Sequence, residues 1–453
     1  MFARWRATAL VAGDTDLADL WTAATGREWL APVTGQSEDD VVAAVMARLG
    51  AEKSSWTLPN VMQATWQTME RDPARSATDD EAFAGRCIDA VIRHGEVVKL
   101  TPSLALDLPG ELVRANGESV YEVHHSARYA TASALTEERY LEARCGSRTT
   151  RPVPDEVTES AIAAGGGLVL SEDQAAAVRG VLGSRADVTV IVGPAGTGKT
   201  ATMRTVVEAW QANGGSVLGL ALSQTAANEL ARATGARAEN IAKLLYENRR
   251  VDAKAFPGHA GRWQVQAGQL VVMDEAGMTG RAAMAQVARL CELAGAKLVL
   301  VGDHELLESP QARGAMRLIA KSAPSFELGE VHRFTNEWER DASLRLRAAD
   351  PEVLEEYAAH GRIYGGTAEA NEGRAVRLAL ADHLDGRRVF ILAGTNERAA
   401  RVAGVFRDGL VAHGLVEADG VRLGDGNRAG VGDRIVARQN TALRTTGGAG
   451  GDQ

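Results

Sequence analysis

Three cysteines in 453 residues, Cys87, Cys145 and Cys291, stand far apart. They build neither a disulfide framework nor a zinc site, and they point to a reduced compartment. No apolar run approaches the ~18 residues a membrane-spanning helix needs. The opening MFARWRATALVAG has no apolar core followed by a small-residue cleavage site, so a signal peptide is not expected and a cytoplasmic location is. Excess positive charge is also missing. The formal net charge is −9, which argues against bulk adhesion to nucleic acid and leaves room for a local basic groove. His124-His125 is a metal-like pair without a third ligand, and neighbours on a strand face opposite sides, so no metal site is expected there. The eight scattered tryptophans read as core rather than as base-stacking platforms. No strong internal repeat is visible. What is left is ordinary composition, 45% hydrophobic and 24% charged, at a length that suits two or three domains.

Against that background one strand–loop–helix stands out, VTVIVGPAGTGKTATMRTVVEAW, residues 188–210. Gly193, Gly198, Lys199 and Thr200 fit G-x-x-x-x-G-K-[ST], with Pro194, Ala195, Gly196 and Thr197 between them and Ala201 after. An apolar strand delivers the chain to a glycine loop whose N–H groups can wrap phosphates, and the next helix points its positive end at the same place. Lys199 would reach the β- and γ-phosphates and Thr200 would hold Mg²⁺, so the expected ligand is a nucleoside triphosphate. A bare glycine-rich turn near a lysine would lack this flanking strand and helix.

The order of elements places that loop in an α/β domain. Apolar runs at 188–192, 216–222, 269–274, 296–302 and 325–331 alternate with helical stretches. They are too apolar for a one-sided sheet and suit a parallel sheet covered by helices. Residues 1–150 read as a mainly helical accessory region with short strands. There Thr57 can cap a helix with Leu58, Val61, Met62 and Trp66 on one stripe, 119–131 alternates like a short hairpin or strand pair, and a helix begins after Thr136. Residues 151–167, within the Pro- and Gly-bearing stretch 147–169, read as a linker, followed by the ATPase domain at 168–335. A helical connector follows at 336–384. Strand-like RRVFILAGT (387–395) and GVGDRIVAR (430–438) open a second, incomplete α/β domain at 385–453.

Further chemistry-bearing residues sit at the ends of these runs. Asp274 and Glu275 close the strand VVM; a Mg·ATP site needs one acid for the metal shell and another to orient or deprotonate water. Gln174, just ahead of the phosphate-loop strand, either pairs with the adenine edge or is a solvated helix residue. Asp303, after AKLVLVG, either senses the γ-phosphate or metal or is a turn acid. Arg333, in GEVHRF, either completes the γ-phosphate shell or makes a surface ion pair. Nothing resembles an acceptor-substrate pocket or an Asn-Lys-x-Asp for guanine, so a kinase or GTPase is the least expected reading.

In order, the Gln174 segment, GPAGTGKT, SVLGLALSQTAANEL, VVMDEAGM, VGD, GEVHRF, ILAGTN and GDRIVAR resemble superfamily 1 DNA helicases of the RecD-like type. TGARAENIAKLL, WERDASLRLRAADP and VHHSARYATASALTEERYLEAR are similar to the helicase half of MobF-type conjugative relaxases, the TraA/TrwC kind. The resemblance covers nearly the whole chain. It implies RecA-like domains and ATP-driven movement along single-stranded DNA, with other conjugation or relaxosome proteins as partners. It assigns Gln174 to adenine, Asp274 to the metal, Glu275 to water and Arg333 to the γ-phosphate. It assigns Ser223, Thr225, Thr395 and Asn396 to backbone contacts on the DNA strand. Three departures stand out. The third motif, usually Gly-Asp-x-x-Gln-Leu, has Leu306 at the glutamine position, and leucine cannot hydrogen-bond. The Thr-x-His-x-x-Gln-Gly motif is missing after Arg438, and so are a relaxase's histidine cluster and N-terminal tyrosines. The chain is therefore expected to be a piece of a longer relaxase–helicase, either a working motor segment or an ATP-binding, DNA-contacting remnant that does not unwind.

Overall fold

A computed structural model describes residues 36–70, 76–101, 109–114, 119–121, 125–251, 264–305 and 314–436. The chain forms two compact units, 1–340 and 341–453. His124 and Leu306 lie outside the described residues.

The first unit opens with α1 (Glu38–Glu52), β1 (Trp56–Thr57), α2 (Leu58–Thr68), α3 (Ala77–Ile92), β2 (Val97–Lys99), β3 (Arg128–Thr131) and α4 (Ala132–Cys145). Capping boxes start three of the helices, Ser37 with Asp40, Thr57 with Asn60 and Ser76 with Asp79. Each supplies acceptors to N–H groups that the helix itself leaves unsatisfied. Val41, Val45, Leu49, Trp56, Val61, Phe83, Cys87 and Val91 form their shared core. The expected stripe on α2 is rotated. Val61, Ala64 and Thr65 are buried, whereas Met62 and Trp66 are roughly half exposed. β3 is not half of a local hairpin: it lies antiparallel between β1 and β2. The helix expected after Thr136 starts at Ala132, because Thr131 caps it through the Ala134 N–H.

That helix carries the accessory region into the next layer. Leu141 and Cys145 pack in the same buried cluster as Val190, Leu220, Met273 and Leu300. Residues 147–150 then run past Asp187, whose carboxylate takes the Thr149 and Thr150 N–H groups at 2.8 and 2.9 Å. The stretch expected as a hinge instead contains α5 (Asp155–Ala164), with Val157, Ala161 and Ile162 packed against the sheet core.

Next come α6 (Glu172–Gly183), β4 (Val188–Val192), α7 (Lys199–Ala212), β5 (Val217–Ala221), α8 (Gln224–Thr234), β6 (Arg237–Asn240), α9 (Ile241–Val251), β7 (Leu270–Met273), α10 (Arg281–Ala294), β8 (Lys297–Gly302), α11 (Ala315–Ser322) and β9 (Ser325–Glu327). The six strands form one parallel sheet in the order β6-β5-β7-β8-β4-β9. Every residue of β4, β5, β7 and β8 is buried, as two helix-covered faces require. Four of the runs read from sequence become these strands within one residue at each end, whereas the run expected at 325–331 is a strand only over Ser325–Glu327. The strand without an apolar signal is β6, ARAEN in sequence. It lies at the sheet edge, where one face of the ladder is open and polar side chains reach water.

From the unit boundary the chain continues through α12 (Glu337–Arg347), α13 (Val353–Ala359), α14 (Ala368–Leu384), α15 (Asn396–Ala412), β10 (Val421–Arg422) and β11 (Arg428–Ala429). Val376 and Ala379 on α14 and Val402 on α15 are buried, and Glu372 pairs with Arg401 at 2.9 Å. Of the two strands expected in this region, neither 387–395 nor 430–436 is a strand, and Phe390 and Leu392 are 90% and 95% exposed. A strand exists only with a ladder partner, and the single pairing among the described residues of this unit is the short β10–β11 hairpin.

No helix among the described residues is long and apolar enough to cross a membrane.

Candidate nucleotide site

Because all six strands are parallel, their C-terminal ends open on one edge. In such sheets ligands bind there. The phosphate loop follows β4, Ser223 follows β5, Asp274 and Glu275 follow β7, Asp303 ends β8, and the segment to Arg333 follows β9.

The loop itself is set by glycine geometry. Gly196 and Gly198 have φ of +92° and +78°, conformations that L side chains rarely adopt. Gly193 continues the ladder, its N–H donating to the Gly302 carbonyl at 3.1 Å. Thr197 is buried and its Oγ1 donates to the Pro194 carbonyl at 2.9 Å. Lys199 folds back over the loop, with Nζ donating to the Gly193 carbonyl at 2.9 Å. Ala195 and Thr200 are exposed at the loop and helix start, and Ala201 is half-buried.

Two elements grip this loop from outside. Gln174 is buried; its Nε2 donates to the Thr197 carbonyl at 2.9 Å, and its Oε1 accepts the Ser171 N–H at 3.1 Å. On the other side the His332 N–H donates to the Gly196 carbonyl at 2.8 Å. A Cβ added at Gly196 would stand 2.4 Å from the Arg333 Cβ, so the arginine segment lies directly on the loop, while the Arg333 residue as a whole remains exposed.

The acids line up beside the loop. Asp274 is half-buried and its Oδ1 accepts the Glu275 N–H at 2.9 Å. Burial pushes its carboxyl above the usual range, the neighbouring Glu275 charge adds to this, and Lys199 opposes it. Glu275 has φ +48°, a left-handed turn that ends the strand and leaves its side chain exposed. Asp303 is buried and its Oδ1 accepts the Glu305 N–H at 3.0 Å. Gly277 has no room for a side chain, since a Cβ would come 2.8 Å from the Asp303 carbonyl. The turn after Glu275 is thus pressed onto the end of β8.

Ser223 caps α8, its Oγ accepting the Ala226 N–H at 3.1 Å, and Thr225 is exposed in the first turn. In the second unit Thr395 caps α15 in the same way through the Arg398 N–H, and Asn396 is exposed beside it. A residue that sequence reasoning passed over is Asp173, which reaches from the start of α6 to the N–H groups of Gly329 and Glu330 at 2.8 and 3.1 Å. Its signal was visible only as an acid in a helix first turn, which many helices carry.

Sheet order, glycine loop and strand-end acids together define a RecA-like P-loop domain. Residues 169–368 match the family model described as an AAA domain. The chain is similar to the conjugal transfer protein TraA of Rhizobium radiobacter, 35% identical over 278 residues, which cover 60% of this chain and 24% of that protein. It is similar to TraA of Agrobacterium fabrum at 31% identity, covering 83% of this chain and 33% of the relative. The ATP-dependent RecD2 DNA helicase of Deinococcus radiodurans is 27% identical over 202 residues, 43% of this chain and 24% of that one. The chain is therefore similar to one portion of the TraA conjugal transfer proteins, and it spans a quarter to a third of the length of these two TraA relatives.

Proposed function

We propose that this chain is an ATP-hydrolysing segment of a DNA helicase or translocase used in conjugative transfer, working on single-stranded DNA in the cytoplasm. The observation that carries the reading is convergence: the phosphate loop, the Asp274–Glu275 pair and the Arg333 segment meet at one edge of one parallel sheet. In this reading Lys199 and the loop N–H groups bind the phosphates, and Gln174 faces the base. The hard oxygen donors of Thr200 and Asp274 suit Mg²⁺, and a cation there offsets the burial that now raises the Asp274 pKa. Glu275 orients or deprotonates water, Asp303 watches the γ-phosphate side, and Arg333 neutralises charge that develops on it. Mg²⁺, when bound by these residues, would neutralise phosphate charge. Ser223, Thr225, Thr395 and Asn396 offer hydroxyl and amide groups to the DNA backbone, contacts that position without reading sequence.

A second reading is nucleotide and DNA binding without unwinding. One observation favours it: among its described residues the second unit pairs strands only in the β10–β11 hairpin and has no parallel sheet of its own. One experiment separates the two. ATP hydrolysis is measured with and without single-stranded DNA, beside Lys199→Ala, and followed by unwinding of a tailed duplex. Hydrolysis raised by DNA, lost in the variant and accompanied by unwinding supports the motor. Hydrolysis without unwinding supports the second reading. No nucleotide binding at all overturns both.

A further inference from the structure

Asp173 uses both carboxylate oxygens. Its Oδ1 accepts the Ser171 hydroxyl and, at 2.8 Å, the Gln174 N–H. Its Oδ2 accepts the Gly329 and Glu330 N–H groups at 2.8 and 3.1 Å, across more than 150 residues of chain. The first pair is what any acid in a helix first turn can do. The second is not, because it fastens a remote segment to that helix start.

The fastened segment is the one that carries Arg333. It begins where β9 ends, with the Leu328 N–H donating to the Val192 carbonyl at 2.8 Å, and finishes on the phosphate loop, with the His332 N–H donating to the Gly196 carbonyl at 2.8 Å. Between these two points it is held by Asp173. The next residue, Gln174, holds the other side of the same loop at Thr197. One carboxylate therefore sits between both grips on the phosphate loop. Burial raises the Asp173 pKa, but the bonds from Ser171, Glu330, Gly329 and Gln174 outweigh it, so the group stays ionised at neutral pH.

We propose that Asp173 is a positioning residue for the γ-phosphate side of the nucleotide site: its carboxylate holds residues 328–333, and with them Arg333, against the phosphate loop. This rests on the nucleotide-binding reading above. An arginine aimed at the γ-phosphate matters for ATP and has nothing to meet in ADP. Loss of its anchor therefore weakens binding of the triphosphate and spares the diphosphate.

The test is equilibrium binding of a fluorescent, non-hydrolysable ATP analogue and of a fluorescent ADP, with Mg²⁺, to the full chain. Wild type, Asp173→Ala, Asp173→Asn and Lys199→Ala are compared, and the nucleotide-free melting temperature is recorded for each. Asp173→Asn keeps the volume and one acceptor oxygen but loses the charge and turns an NH2 toward either the 329–330 N–H groups or the Gln174 N–H, so it is expected to rescue only in part. Losing a charge-assisted hydrogen bond of this kind predicts an ATP-analogue affinity lower by about tenfold in Asp173→Ala and by less in Asp173→Asn, with ADP affinity nearly unchanged. Equal losses for ATP and ADP, tracking a lower melting temperature, would make Asp173 a fold residue and overturn the proposal. So would Asp173→Ala keeping the wild-type preference for ATP. Wild type that binds neither nucleotide would instead bring down the nucleotide-binding reading itself.

Discussion

The Gln174 Nε2 donates to the Thr197 carbonyl at 2.9 Å, and a Cβ on Gly198 would fall 2.2 Å from that nitrogen. Gln174 is thus a wall of the phosphate loop before any base arrives. Its amide keeps one further N–H and one further lone pair, enough to pair with adenine while it supports the loop. Gln174→Ala is expected to weaken ATP about tenfold, the scale of one lost buried hydrogen bond plus one base contact, and GTP by less. Competition binding of the two nucleotides checks this. Unchanged GTP affinity would mean that the loop bond contributes nothing, and equal losses would mean that the amide does not read the base.

Gly196 makes a separate prediction. Its φ of +92° and its closeness to the Arg333 Cβ leave no space for a methyl group. Gly196→Ala should force either the loop or the 328–333 segment to move, at a strain of about 1–3 kcal/mol. Nucleotide affinity should fall, with little change in the helical signal by circular dichroism. A variant that binds as wild type does would show that the arginine segment is not seated on the loop in solution.

Glu275 and Asp274 should separate chemistry from metal binding. Glu275→Gln keeps size and removes the carboxylate proposed as base, so it is expected to bind nucleotide normally and to lower hydrolysis by about 10²–10⁴-fold. Asp274→Asn should raise the Mg²⁺ concentration needed for tight binding. Titrating Mg²⁺ against a fluorescent nucleotide distinguishes the two variants, and an unshifted Mg²⁺ midpoint in Asp274→Asn would remove it from the metal shell.

How much of this was legible follows from what each residue reports. Strands buried on both faces must be largely apolar, so Val188–Val192 and Lys297–Gly302 announce themselves despite Thr189 and Lys297. The loop is legible because its backbone can be built only with glycines at fixed spacing. β6 was invisible because an edge strand needs no apolar alternation. The segment around Phe390 and Leu392 was read as a strand because apolarity reports burial demand and says nothing about whether a ladder partner exists. Asp173 escaped because its meaning lies in Gly329 and Glu330, and no local pattern links residues so far apart in sequence.

Arg144 and Asp187 join the accessory helix α4 to the start of β4, with Arg144 Nη1 at 3.1 Å from Oδ2 and both side chains nearly inaccessible. Burial pushes the Asp187 carboxyl up, but hydrogen bonds from Ser147, Thr149 and Thr150 outweigh it, and the group ends well below the usual carboxylate range. A folded-state pKa depressed below the unfolded value of about 3.9 gives stability that is complete above that value and lost as pH falls below it. Asp187→Ala should therefore cost up to about 3–5 kcal/mol at neutral pH, because it leaves buried Arg144 with only Glu292, 4.0 Å away, as a carboxylate partner. Asp187→Asn should cost less, since an amide can replace some of the hydrogen bonds. The sharper test is the pH dependence of the melting temperature between neutral pH and pH 3. Wild type is expected to lose stability faster than Asp187→Asn on acidification, so that the gap between them narrows. Parallel curves would show that the ion pair and its threonine bonds are not what fixes the accessory helix to the sheet.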